Sequence, residues 1–102
     1  MKTILRTNAF KKDLKRVINY KGYKKEKLSE YVNKLANSEN LPANAKDHKL
    51  SPASPKEYQT ARDFHLSPDI VVVYKRTDDA IELLRIGKHN DLGLTENIYV
   101  NS

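Results

Sequence analysis

Apolar positions recur along the chain at two different periods, and the change of period divides it. Phe10, Leu14, Val17 and Ile18 fall at i, i+4, i+7 and i+8, one stripe of an amphipathic helix, with Lys11, Lys12, Lys15 and Arg16 on the other faces. Thr7 or Asn8 supplies the N-cap oxygen for orphan amides, and Gly22 breaks the helix. Leu28, Tyr31, Val32 and Leu35 form a second stripe. They predict a helix that begins near Tyr23 or Lys24 and ends before Leu41-Pro42, since proline cannot continue a helix and disfavours α conformation in its predecessor. Ahead of both, Lys2 to Arg6 reads as a short opening strand with Ile4 facing inward.

From residue 38 to about residue 57 no period survives, and the stretch holds Pro42, Pro52, Pro55 and His48. A structureless segment of about twenty residues is uncommon in a compact domain and is usually functional or disordered. Beyond it the pattern shortens to strands. Tyr58 to Leu66 ends at a Ser67-Pro68 turn, and Ile70 to Lys75 is β-branched and aromatic like a central buried strand. Thr77-Asp78-Asp79 then makes a hairpin turn, and Ala80 to Ile86 runs back. The predicted fold is α+β: an N-terminal strand, a two-helix hairpin and a three-stranded antiparallel meander, with both helices on one sheet face. The expectation is one domain over residues 1–102, with 38–57 as a long loop and 93–102 as a C-terminal tail.

Composition narrows the function. A chain of 102 residues supports one modest core. It lacks cysteine, which excludes disulfides, thiolate metal sites and a cysteine nucleophile. The longest apolar run, Ile70 to Tyr74, is five residues, too short for a membrane span, and Met1 to Arg6 has no apolar signal core. The expected setting is soluble and cytoplasmic, with no membrane partner. Nineteen Lys and Arg against thirteen Asp and Glu give a net charge of +6, and residues 1–35 hold eleven basic and only three acidic side chains. A basic half of this kind favours a polyanion or an acidic protein partner.

Candidate chemistry rests on three histidines: His48 in the loop, His65 on a strand and His89 at a strand end. Alternation along Tyr58 to Leu66 turns Phe64 and Leu66 toward the helices and Asp63 and His65 toward the open face. Asp69 follows just past the turn, and Arg85 faces away from Leu84 and Ile86, with His89 just beyond Gly87. Two imidazoles, carboxylates and a cation suit acid–base attack on a phosphodiester: one group takes a proton, another returns one, and the cation balances phosphoryl charge. A zinc site would draw ligands from three separate elements without H-E-x-x-H spacing, so no metal or cofactor is expected. Gly22, Gly87 and Gly93 lie too far apart for a phosphate loop, and no G-x-S-x-G elbow exists.

The run Arg62-Asp63-Phe64-His65-Leu66-Ser67-Pro68-Asp69, the strand Ile70 to Tyr74, Leu84-Arg85-Ile86-Gly87-Lys88-His89 and the earlier Asp47-His48-Lys49-Leu50 together resemble the YafQ branch of the RelE/ParE type II toxin superfamily. The resemblance spans nearly the whole chain. It implies a toxin that cuts mRNA in the ribosomal A site without metal, the RNA 2′-OH attacking its own phosphodiester to leave a 2′,3′-cyclic phosphate and a 5′-OH. It also implies inhibition by a cognate acidic antitoxin, with operator DNA contacted only through that complex, and with the mRNA and ribosomal RNA as partners. His48, Asp63, His65, Asp69 and His89 fall on the family's active-site positions. His89 is expected as the acid and His65 or Asp69 as the base, with His48 and Asp63 orienting substrate or tuning the histidines. Arg62, Arg85 and Lys88 are the expected phosphate-side cations. Where the family usually carries an aromatic that holds a base, this chain has Gly93 after Asn90-Asp91-Leu92, and Tyr99 in the tail is the candidate substitute. Two other readings compete: a non-enzymatic toxin of the same fold that binds a protein such as gyrase, and a basic RNA-binding module without catalysis.

Overall fold

The computed structural model describes residues 1–50 and 60–92. In chain order these form β1 (Thr3–Arg6), α1 (Asn8–Val17), α2 (Lys25–Ala36), a 3-10 turn (Ala43–Ala45), β2 (His48–Lys49), β3 (Arg62–His65), β4 (Val71–Arg76), β5 (Ala80–Gly87) and a second 3-10 turn (Asn90–Leu92). The strands make one five-stranded sheet in the order β1-β5-β4-β3-β2. The meander is antiparallel as expected, β1 joins β5 in parallel, and the sheet is therefore mixed. The fifth strand is β2, a two-residue rung inside the segment expected to be loop.

Both helices cover one face. Phe10, Val17, Tyr31, Val32 and Leu35 pack against Phe64, Leu66, Val72, Tyr74, Ile81, Leu83 and Ile86 in the main core. Rings meet there at angles that suit their quadrupoles, Tyr31 on Phe64 at 5.7 Å and Phe64 on Tyr74 at 5.9 Å. The other face is less open than its pattern suggests, because Leu50, Ala61, Val71, Val73 and Leu92 form a second, smaller apolar cluster on it.

Three departures have local causes. Helix α1 stops at Val17, so Ile18 leaves the stripe at the C-cap and stays 55% exposed. Helix α2 ends at Ala36, well before Pro42, because Ser38 takes a left-handed φ of 61° and a Schellman pattern closes the end. In that pattern the Ser38 N–H donates to the Leu35 carbonyl at 3.1 Å and the Glu39 N–H to the Lys34 carbonyl at 2.8 Å. A serine there gives no glycine signal to read. Strand β5 carries a bulge: Val73 pairs with Arg85 but Tyr74 pairs with Leu83, leaving Leu84 as the extra residue. The bulge resets the alternation, so Leu84 joins the second cluster while Ile86 returns to the main core, and the two do not share a face.

The edge of β5 beyond β1 is completed by α1. Thr7 donates its N–H to the Leu83 carbonyl at 3.1 Å and its hydroxyl to the Leu84 carbonyl at 2.8 Å, while its Oγ1 accepts the Phe10 N–H at 3.0 Å as N-cap. One turn on, buried Asp13 accepts the Ile86 N–H at 3.1 Å and takes Arg85 on both oxygens, Nε at 2.6 Å and NH2 at 3.0 Å. Arg16 adds a longer contact to Asp13 at 3.3 Å. Removing this carboxylate strands a buried N–H and a mostly buried guanidinium. Asp13→Ala is therefore expected to lower stability by about 3 kcal/mol in urea unfolding, and Asp13→Asn to lower it less.

Candidate active site

The sheet register assembles the site from two adjacent cross-strand rows on the face opposite the helices. One row runs His48–Asp63–Val73–Arg85, each neighbour paired across a strand boundary. The next runs His65–Val71–Gly87. Residues two apart on a strand share a face, so Asp63 and His65 stand side by side as alternation predicts. Val71 and Val73 are fully buried beneath them and give the site an apolar floor.

His89 reaches this face through the turn after β5. The Lys88 N–H donates to Asp91 Oδ2 at 3.2 Å, and the Leu92 N–H donates to the His89 and Lys88 carbonyls, so the chain folds back on itself. The turn packs closely on Gly87: a Cβ there would touch Asp91 Cβ and Leu92 Cδ2, each at 3.4 Å. Tyr20 donates its hydroxyl to the same Asp91 oxygen at 3.1 Å and tethers the turn to the segment after α1. The result is that the His65 and His89 rings meet edge to face, 5.5 Å apart.

His48 is held from below and behind. Its Nδ1 lies 2.7 Å from Oδ1 of Asp63, a carboxylate with no exposure at all. The preceding residue, Asp47, is clamped on the other side of the sheet, where Oδ1 accepts the Tyr74 hydroxyl at 2.6 Å and Arg62 Nε at 3.2 Å. Burial, aided by Asp47, pushes the Tyr74 phenol above its ordinary pKa, so it stays a hydrogen-bond donor.

Burial is also the main influence on His65, lowering its pKa from 6.5 to about 4, with His89, Lys46 and His48 adding positive charge nearby. His65 is therefore a neutral imidazole near pH 7.

Of the expected residues, the fold gathers His48, Asp63, His65 and His89, and places Arg85 at the end of the first row with its guanidinium on Asp13. Asp69 stands exposed in the turn before β4, off the strand face. Arg62 alternates with Asp63 and goes to Asp47 instead of to the histidines. The Lys88 ammonium sits 4.9 Å from the Tyr20 ring centroid. Gly93 and Tyr99 lie outside the described residues. Sequence reasoning assigns no role to Asp13, Lys46 or Asp47. Asp13 alone carries a signal, an acid placed within the apolar stripe of Phe10, Leu14 and Val17.

The family model for the bacterial YafQ toxin of type II toxin–antitoxin systems matches residues 2–94. No curated protein matches the chain in sequence. Among solved structures, a copper-bound mutant toxin from Helicobacter pylori is 29% identical with a TM-score of 0.78, covering 90% of this chain and 99% of that one. E. coli YafQ is 30% identical with a TM-score of 0.75, over 90% of this chain and 98% of that one. The toxin in the E. coli DinJ–YafQ toxin–antitoxin complex is 30% identical with a TM-score of 0.74, over 89% and 96%.

The His65 shift has a consequence for stability. Between pH 6.5 and about 4 the unfolded chain binds a proton at this site that the folded chain refuses, so acid favours unfolding. Melting temperature is expected to fall as pH drops through that window, and His65→Gln to flatten part of the fall; identical pH profiles for the two proteins would contradict the assignment.

Proposed function

This chain belongs to the YafQ toxins of bacterial type II toxin–antitoxin systems, and from that premise we propose that it is an endoribonuclease that cuts mRNA in the ribosomal A site. The observation that carries the reading is the edge-to-face meeting of His65 and His89, 5.5 Å apart on an apolar floor beside the His48–Asp63 pair. A neutral imidazole and a second histidine within reach of one phosphodiester are what a paired proton transfer requires.

In this mechanism His65 accepts the proton of the RNA 2′-OH as that oxygen attacks the adjacent phosphorus. The bond from phosphorus to the 5′-oxygen breaks, and His89 donates a proton to the departing oxygen. The products are a 2′,3′-cyclic phosphate and a 5′-OH. Asp63 orients His48 against the substrate, and Arg85, fixed in its row by Asp13, balances charge on the phosphoryl oxygens. Asp69 remains the alternative base. A Helicobacter pylori relative was crystallised with copper; among the described residues of this chain, no group of three or more His, Cys, Asp or Glu side chains is placed to hold an ion.

The basic first half supports docking on ribosomal RNA, and the same cations suit an acidic antitoxin, by analogy with the DinJ-bound relative. No helix among the described residues is long and apolar enough to cross a membrane. The proposed setting is the cytoplasm, and operator DNA would be reached only through the antitoxin complex.

Induced expression of the wild type is expected to arrest bacterial growth and to create new transcript ends bearing 5′-OH. His65→Ala and His89→Ala should each slow cleavage by about 100-fold or more and relieve the arrest. Equal arrest by all three proteins with no new transcript ends would instead favour a non-enzymatic toxin that binds a protein target.

A further inference from the structure

A cleft of about 250 Å³ opens beside His65, its lining including Lys27, Asn44, Lys46, Ser67 and Pro68. We propose that this cleft is a binding site for a backbone phosphate of the RNA flanking the scissile bond, with Lys46 and Lys27 as its two cations. The proposal rests on the nuclease reading above for the identity of the polyanion, and on the cleft's own construction for the site.

Lys46 is placed there with unusual care. It has φ 51° and ψ 44°, the left-handed region that side chains other than glycine and asparagine rarely adopt. Its neighbours hold it there. Ala45 before it is fully buried in the main core, and Asp47 after it is clamped by Tyr74 and Arg62. The 3-10 turn itself is closed by the Ala45 N–H on the Pro42 carbonyl at 3.0 Å and the Lys46 N–H on the Ala43 carbonyl at 3.1 Å. Glycine would meet the backbone requirement at lower cost, yet the chain keeps a long cation at this point. Lys27 comes from α2, with its ammonium 5.6 Å from the Tyr31 ring centroid, and brings a second positive charge to the lining. Asn44 and Ser67 supply neutral hydrogen-bonding groups to the same space. Two cations and two neutral polar side chains around a cleft that shares His65 with the reacting centre match a phosphate one step along the strand.

The test separates strain from recognition. Binding of a short 2′-O-methylated single-stranded RNA, which cannot be cleaved through its 2′-oxygen, is measured by fluorescence anisotropy over a range of salt. Lys46→Gly is expected to raise the melting temperature by relieving the left-handed backbone, and yet to weaken RNA binding roughly threefold to tenfold and to reduce the salt slope by about 0.7. Lys27→Ala, which touches no strained backbone, is expected to show a similar loss of affinity and slope. Unchanged affinity and slope in both variants would overturn the site. So would unchanged RNA binding accompanied by weaker binding of the cognate antitoxin, which would reassign the cleft to a protein partner. Because the probe reports binding without cleavage, a wild type that binds through this cleft but fails to cut mRNA would defeat the nuclease reading and leave the phosphate site standing.

Discussion

One buried carboxylate on α1, Asp13, finishes the part of the sheet that β1 leaves unpaired. β1 pairs with β5 only from Ala80 to Leu83, so the backbone groups that follow need other partners. Thr7 satisfies two carbonyls and Asp13 satisfies the Ile86 N–H, so a helix takes over the edge where a strand stops. The cost of burying Asp13 is met by the two-oxygen contact with Arg85 and the longer one with Arg16. Arg16 also lies 3.9 Å from Asp91, whose side chain closes the turn that carries His89. Helix, central strand, cation and histidine turn thus share one electrostatic knot, and the site inherits its geometry from it.

The bulge at Leu84 gives that knot its direction. Without the extra residue, Arg85 and Ile86 would exchange faces, since a shift of one residue inverts every side chain that follows. Ile86 would leave the main core, and Arg85 would lose its place at the end of the His48–Asp63–Val73 row. The register error is corrected locally, within a single strand, and so the hydrophobic demand of the helices and the polar demand of the opposite face are both met.

Much of this was legible in the sequence because it follows from periodicity. The two helices, the buried strand over Val71 to Tyr74, the hairpin at Thr77-Asp78-Asp79 and the shared face of Asp63 and His65 all come from spacing and composition. What stayed hidden depends on contacts distant in sequence or on backbone choices without a residue signature. The bulge is visible only as a pairing offset between β4 and β5. The rung at His48–Lys49 is too short to show a period and exists because β3 offers it an edge. Ser38 and Lys46 take left-handed conformations that a reader assigns to glycine or asparagine. Arg62 and Arg85 look equivalent as motif arginines, yet one is held by Asp47 beside β2 and the other by Asp13 on α1, partners that no local spacing announces.

The electrostatics around His65 bring the parts together. A general base must hold no proton before the reaction and accept one during it. Burial, with the nearby cations assisting, empties His65 in the free protein. In the proposed mechanism a phosphate seated beside Lys46 would cancel part of the positive charge that, together with burial, withholds the proton. Substrate binding would then raise the proton affinity of His65 as the 2′-OH is presented to it. His89 meets the same ring edge to face, within reach of the same phosphodiester in the proposed mechanism. On the proposed reading, a lysine held in a strained turn would serve both attraction and timing, which a solvated lysine on a helix face would not.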